Sequence, residues 1–456
     1  MLTDQSITRR ARHLSLAFFL SLVSTLLQAQ DKLVIVSPHW EGVKYEFTQA
    51  FEKYYLKKSG RTVLLRWMDL GGTSSIEKAV DALYRATPEC CDIDIMFGGG
   101  MDPFESQKIK GHLFPYKIPD ELLNQIPKQV QGVDLYDLDY NYYGAALSSF
   151  GISQNIPVCK YLHLPQVSTW EDLTQPGLES WISSADPRKS GSVHMIYEII
   201  LQAYGWERGW EILYQMSGNI RSFLPDSPAP LKEVTVGDAA YGLTIDINGL
   251  SQQTFLGREN VRFFIPPNVS VINPDGIAIL RGAPHLAIAE DFLNFVLSPD
   301  GQSLWMKPLG EQGGAQKFGI TRMGIIPSMY PNDPSKLLVP TNPFVERIGF
   351  IYDNSLGSLR WQLVNQLMGQ TIIDIHPHLQ AAWKAINRLP PEQAEPLKNE
   401  FSQPFINESR VKELSQLWRK DKVAADRLGN EWMQQAVKRF DRLTQRAETL
   451  LSVIHK

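Results

Sequence analysis

Residues 33–75 read LVIVSPHWEGVKYEFTQAFEKYYLKKSGRTVLLRWMDLGGTSS, and the order of elements in this stretch decides the fold. Leu33 to Val36 is a short apolar, β-branched run, which predicts a strand buried on both faces. Val43 to Lys58 then carries Phe47, Ala50, Phe51 and Tyr54 at helical spacing, and Val63 to Met68 returns to strand character. Ile76 to Ala86 continues as helix and Ile93 to Phe97 as a third strand. Strands that alternate with helices predict an α/β fold around a mostly parallel sheet. In such sheets ligands gather at the carboxyl ends of the strands, where the next helix begins and its first N–H groups have no partner. The residues at those ends suit that task. His39, Trp40 and Glu41 follow the first strand, Gly72, Thr73 and Ser74 the second, and Gly99 and Gly100 the third. Glycine lets backbone approach a ligand, and the hydroxyls add donors at a helix start. Each loop alone is equally well an ordinary turn or helix cap; it is their repetition at successive strand ends that points to a ligand site.

The pattern resumes further along. Trp181 to Ser184 reads as a strand, Val193 to Tyr204 and Glu207 to Met216 as helices, and Ile220 to Phe223 and Tyr241 to Ile245 as strands. The loop ends of this second unit hold Ser190, Gly191 and Ser192 before one helix and Ser227 near the start of another, with Arg188 and Lys189 as charge partners or solvated surface. Between the units lies YYGAALSSFGIS, Tyr142 to Ser153, and later VINPDGIAIL, Val271 to Leu280, read as strand, turn, strand. Both are candidate crossings between halves. Past about residue 350 strand-like runs vanish, and Leu379 to Ile386, Val411 to Trp418 and Asp421 to Leu451 carry helical periodicity.

At 456 residues, 43% hydrophobic and 21% charged, the chain has the composition of a globular protein of more than one unit. Its net charge of -4 offers no overall positive field for nucleic acid. Arg9, Arg10 and Arg12 precede an uncharged run from Leu14 to Leu27, shorter than the about 20 apolar residues a spanning helix needs. That predicts a secretory signal over residues 1–29, cut after Ala29, and a periplasmic protein. Three cysteines exclude a disulfide framework; Cys90 or Cys91 bonded to Cys159 is one expectation, and buried thiols the other. No phosphate-binding loop, His-Glu-x-x-His, Gly-x-Ser-x-Gly or Cys-x-x-Cys occurs, so no catalytic machinery and no cofactor are expected. His39 with Glu41 is the better metal candidate, while His376 and His378 read as surface or packing residues. Trp206, Trp210 and Trp383 fall in helical stretches and read as core.

The segments ADPRKSGS (Ala185 to Ser192), YGWERGWEIL (Tyr204 to Leu213), VGDAAYGLTID (Val236 to Asp246), INPDGIAILRGAPH (Ile272 to His285) and DFLNFVLSPDGQ (Asp291 to Gln302) resemble the periplasmic substrate-binding proteins of ABC importers. The resemblance is to the group of ferric-iron, phosphosugar and phosphonate binders, and it runs from about Leu33 to Pro327. It implies a two-lobed type II periplasmic binding fold, a Venus flytrap, whose lobes close on a solute and deliver it to a membrane permease without catalysis. The corresponding divisions are 30–148 for the first part of lobe one, 149–276 for lobe two, 277–350 for the return to lobe one and 351–456 for a helical extension. That extension is expected to pack on lobe one or to meet a partner. Iron-binding members carry adjacent tyrosines after the strand equivalent to Tyr241 to Ile245, where this chain has Asp246, Ile247 and Asn248. The resemblance therefore favours a polar or anionic organic solute, phosphorylated or carboxylated, bound by a monomer, with Asp246 among its contacts. Ferric iron or another metal is the alternative cargo. An enzyme on the same scaffold and a sensory subunit serving a receptor are the other readings.

Overall fold

The computed structural model describes residues 30–339, 341–345 and 349–454; the expected signal segment lies outside them. Twelve strands are present among the described residues: β1 Asp31–Val36, β2 Val63–Met68, β3 Ile95–Phe97, β4 Leu113–Phe114, β5 Gln129–Val130, β6 Val133–Asp134, β7 Tyr143–Asn155, β8 Ile182–Ala185, β9 Ile220–Leu224, β10 Tyr241–Ile245, β11 Val261–Phe264 and β12 Ile272–Leu280. The first lobe is ordered β2-β1-β3-β12-β7, with β1 parallel to β2 and β3 and with β12 antiparallel to β3 and β7. The second is ordered β7-β10-β8-β9, with β10 antiparallel to β7 and parallel to β8.

One strand belongs to both lobes. Residues Tyr143 to Ser149 of β7 pair with β12, and from Phe150 the same strand pairs with β10. Small residues make this passage possible. A side chain at Gly151 would place its Cβ 2.2 Å from the Phe264 carbonyl oxygen on β11, so only glycine fits there. The 271–280 stretch, expected as two strands around a turn, is a single fully buried strand with a bulge between Asp275 and Gly276. Asn-Pro-Asp-Gly is a strong turn signal in isolation, but pairing with β3 on one side and β7 on the other overrides it.

Helices Glu41–Ser59 and Thr73–Ala86 follow β1 and β2 as their spacing predicts, and Gly191–Ala203 and Trp206–Asn219 lie between β8 and β9. The extension folds as Asn354–Met368, His376–Asn387, Pro391–Phe401, Val411–Lys420 and Lys422–Ile454. It packs on both lobes: helix Asn354–Met368 lies on helix Asp102–Ile109 of lobe one, and helix His376–Asn387 on helix Trp206–Asn219 of lobe two. Trp383 lies against Gly218, whose missing Cβ would stand 2.3 Å from its ring, and donates from Nε1 to Asn219 Oδ1 at 2.8 Å. Trp206 reaches the carbonyl of Ile406 at 2.9 Å. Trp206, Trp210 and Trp383 are all buried, as the helical reading requires. Cys90, Cys91 and Cys159 are free thiols, so the expected bond is absent and the buried-thiol expectation describes Cys91 and Cys159. No helix among the described residues is long and apolar enough to cross a membrane.

Candidate ligand site

A cleft of about 450 Å³ lies between the lobes, over the point where β7 changes partners. Ten of the thirteen residues selected from the loop ends line it: His39, Trp40, Glu41, Gly72, Thr73, Gly99, Gly100, Gly191, Ser192 and Ser227. Two helix starts face each other across it. Gly72 caps the Thr73–Ala86 helix of lobe one and Ser190 caps the Gly191–Ala203 helix of lobe two, the serine accepting from Val193 N–H at 3.3 Å. The approach is close. A Cβ on Gly72 would lie 2.1 Å from the Lys189 carbonyl oxygen, and one on Gly191 2.7 Å from Thr73. The unpartnered N–H groups of both first turns and the aligned peptide dipoles give this mouth a positive character. Lys189 adds an exposed ammonium that pairs with no carboxylate among the described residues, and Lys44 a buried one tied to Glu41 at 2.8 Å.

The floor is organised by Asp275, which sequence reasoning placed only in a crossing segment. Its Oδ1 accepts from Gly99 N–H at 2.6 Å and Gly100 N–H at 3.2 Å; its Oδ2 lies 2.7 Å from His39 Nε2 and 3.2 Å from Arg322 Nη1. Burial alone pushes this carboxyl up, but Arg322, His39 and the Gly99 N–H outweigh it and hold it well below the usual carboxylate range. His39 is depressed by its own burial, against the pull of Asp275. A neutral His39 must therefore keep its proton on Nε2 to face the carboxylate, and Nδ1 accepts from Ser37 Oγ, 3.0 Å away. Arg322 also reaches Ser148 Oγ, while its Nε has no partner among the described residues. Asn273, buried in the same wall, has its Oδ1 unpartnered.

Several expectations change in detail. The N–H groups of Gly99 and Gly100 line the cleft but are already taken by Asp275. Ser74 and Ser190 sit behind the lining. Ser74 Oγ donates to the Pro187 carbonyl at 3.4 Å, a bridge between lobes, and Ser190 Oγ lies 2.6 Å from Ser227 Oγ. Asp246 turns inward and accepts from Ser149 N–H and Ile247 N–H, both at 2.7 Å; burial pushes it up to about 6 against the opposing effects of Arg322 and those N–H groups. Arg188 faces away, pairing with Asp186 at 2.8 Å and Asp374 at 2.7 Å, so of the two cations only Lys189 lines the cleft. His39 and Glu41 do not form a metal pair, since one faces Asp275 and the other Lys44, and no cluster of three or more His, Cys, Asp or Glu suited to a metal occurs among the described residues. His376 packs against Ser217 O at 2.9 Å and His378 pairs with Asp441 at the surface. Arg322, Asn273 and Ser148 were missed. No motif marks them, because they meet the loop ends only after both crossings have formed.

Comparison with known proteins agrees with this architecture. The family model described as bacterial extracellular solute-binding protein matches residues 93–309. The phosphoglycerate transport regulatory protein PgtC of Salmonella typhimurium is 27% identical over 183 residues, 40% of this chain and 45% of that relative, so the chain spans under half the length of the curated relative it matches. An uncharacterized protein of Haemophilus influenzae is 25% identical over 328 residues, 69% of this chain and 85% of its own. Among solved structures, the periplasmic binding protein P5PA superposes with a TM-score of 0.60 at 21% identity, covering 75% of this chain and 99% of that one. The periplasmic binding protein AfuA from Actinobacillus pleuropneumoniae, solved with exogenous fructose-6-phosphate bound, gives 0.57 at 20%, over 75% and 98%. Apo ferric ion-binding protein A from Pasteurella haemolytica gives 0.57 at 12%, over 74% and 97%. The chain thus resembles the substrate-binding proteins of ABC importers, and its fold is their two-lobed one.

Proposed function

We propose that this chain is the solute-binding component of an ABC import system, capturing a small anionic or polar solute between its lobes and handing it unchanged to a membrane permease. The observation that carries this reading is the convergence of two helix starts, one per lobe, on a cleft that Lys189 and Arg322 also line. Hydrogen bonds to a charged group contribute about 1.5–3 kcal/mol each, so a few of them reach the ~8 kcal/mol of micromolar binding after ordering costs. A phosphorylated or carboxylated organic molecule has the charge and size for this site. The fructose-6-phosphate in AfuA and the phosphoglycerate in the name of PgtC support that class. In this reading residues 1–29 direct export to the periplasm, where the mature protein acts as a monomer without cofactor or catalysis. Ferric iron has less support, because Asp246 is turned to Ser149 and His39 to Asp275.

Thermal unfolding in the presence of 3-phosphoglycerate, fructose 6-phosphate, a dicarboxylate and ferric citrate tests the reading. A bound solute at about 100-fold its dissociation constant stabilises the protein by ~2.7 kcal/mol. A raised midpoint with an organic anion, with that anion recovered intact, is expected; no shift with any of them, or chemical conversion of the one that binds, overturns the proposal. The word regulatory in the name of PgtC favours one second reading, in which the loaded protein is recognised by a receptor. Pull-down of the loaded protein with permease or with receptor separates the two.

A further inference from the structure

The extension is joined to lobe two through buried, charged and directional contacts. Arg360 Nε donates to Glu198 Oε1 at 2.9 Å with both side chains buried, His194 Nδ1 lies 2.7 Å from the Asn365 side chain, and Asp353 N–H donates to Gln202 Oε1 at 2.8 Å. Breaking a buried pair such as Arg360 with Glu198 is strongly unfavourable, so helix Asn354–Met368 moves with lobe two. The same helix also touches lobe one, where it packs on helix Asp102–Ile109. At that contact Tyr352 Oη donates to Asp102 Oδ2 at 2.7 Å, and Gly357 makes room for it: a Cβ there would stand 2.2 Å from Tyr352 Oη and 2.8 Å from Asp102 Oδ2.

This junction adjoins the cleft on both sides. Asp102 follows the Gly99–Gly100 loop, and Tyr352 Oη also lies 3.6 Å from the sulfur of Met195, which lines the cleft from lobe two. Asp102 and Tyr352 are both buried where the extension meets lobe one. The carboxyl is surrounded by Glu198, Asp353 and Glu77, with Arg360 the nearby cation, and burial pushes it well above its ordinary range although the Tyr352 hydrogen bond opposes this. With the extension held by lobe two, separating the lobes would draw Tyr352 and Gly357 away from Asp102.

We infer that the helical extension is a strap: fixed to lobe two, it latches onto lobe one through Tyr352, Asp102 and Gly357 and biases the empty protein toward the closed arrangement. Such a bias raises apparent affinity by raising the fraction of binding-competent molecules and slows exchange of whatever the cleft holds. The inference rests on the lobe-closure part of the reading above but on no particular solute, and its test uses none, so its failure is distinguishable from failure of the solute reading.

The test is the distance between spin labels on the full-length, ligand-free protein at two exposed positions, Lys53→Cys in lobe one and Lys232→Cys in lobe two, with the three native cysteines replaced by alanine. The strap predicts one narrow distribution for the parent and a shift to longer, broader distances in Gly357→Ala, a substitution that otherwise favours the helix. Tyr352→Phe, which removes only the hydrogen bond, shifts part of the population the same way and decides the matter if Gly357→Ala does not fold. A parent distribution already broad, or one that neither variant changes, overturns the inference.

Discussion

Asp275 accepts from two backbone N–H groups and faces His39 and Arg322 at once, so it fixes the Gly99–Gly100 loop, the imidazole tautomer and the guanidinium that reaches Ser148. Replacing it by asparagine leaves Arg322 buried without a counter-charge and is expected to cost about 3–5 kcal/mol in urea unfolding. Its pKa is depressed in the folded state, so its contribution is complete above the ordinary carboxylate value and is lost as pH falls below about 3.9 toward the folded value. Neutral, buried His39 acts in the same direction, losing stability as pH falls below about 6.5. Asp246 acts oppositely: its raised pKa favours the folded protein at low pH, and that contribution fades as pH rises through about 6. Between pH 5 and pH 3 the parent should therefore lose stability more steeply than Asp275→Asn, and equal slopes would remove Asp275 from this role. Of this network His39, Gly99 and Gly100 were legible in the sequence, while Asp275, Arg322 and Ser148 were not. The legible three follow the ends of β1 and β3, whereas Asp275 is 236 positions from His39 in a segment that resembles a turn.

The helix starts carry the binding argument among the elements. They were legible because a strand, a short polar loop and an amphipathic run are local patterns, and Gly72, Thr73, Gly191 and Ser192 stand at the cleft as those patterns require. Which backbone donors remain open was not legible. Gly99 and Gly100 occupy the same kind of loop, yet their N–H groups serve Asp275. The closeness of the two starts gives a direct prediction. Gly72→Ala brings a methyl group against the Lys189 carbonyl, a backbone atom that can retreat only if the lobes part. Titration calorimetry with the solute found by thermal unfolding should show at least about tenfold weaker binding. The same clash opposes the closed arrangement of the empty protein, so its unfolding free energy should fall by about 1–3 kcal/mol. Unchanged affinity would mean that the two starts do not grip the same molecule.

For the molecule as a whole, the alternation of elements foretold two α/β units and the small-residue run at 142–153 foretold a crossing, because both follow from period and residue size. The placement of the extension could not be foretold. Its contacts with Gly218, Asn219 and Glu198 depend on surfaces that exist only once lobe two has folded. The matched binding proteins correspond to three quarters of this chain over nearly their whole length, so the remaining quarter adds to a complete two-lobed scaffold. Native mass spectrometry of the folded protein, mixed with phosphorylated and carboxylated small molecules, tests most directly whether that scaffold clasps a solute between its halves. The account predicts one intact anion per chain, retained by the parent and lost from Gly72→Ala; no adduct at all, or an adduct held equally by both proteins, contradicts it.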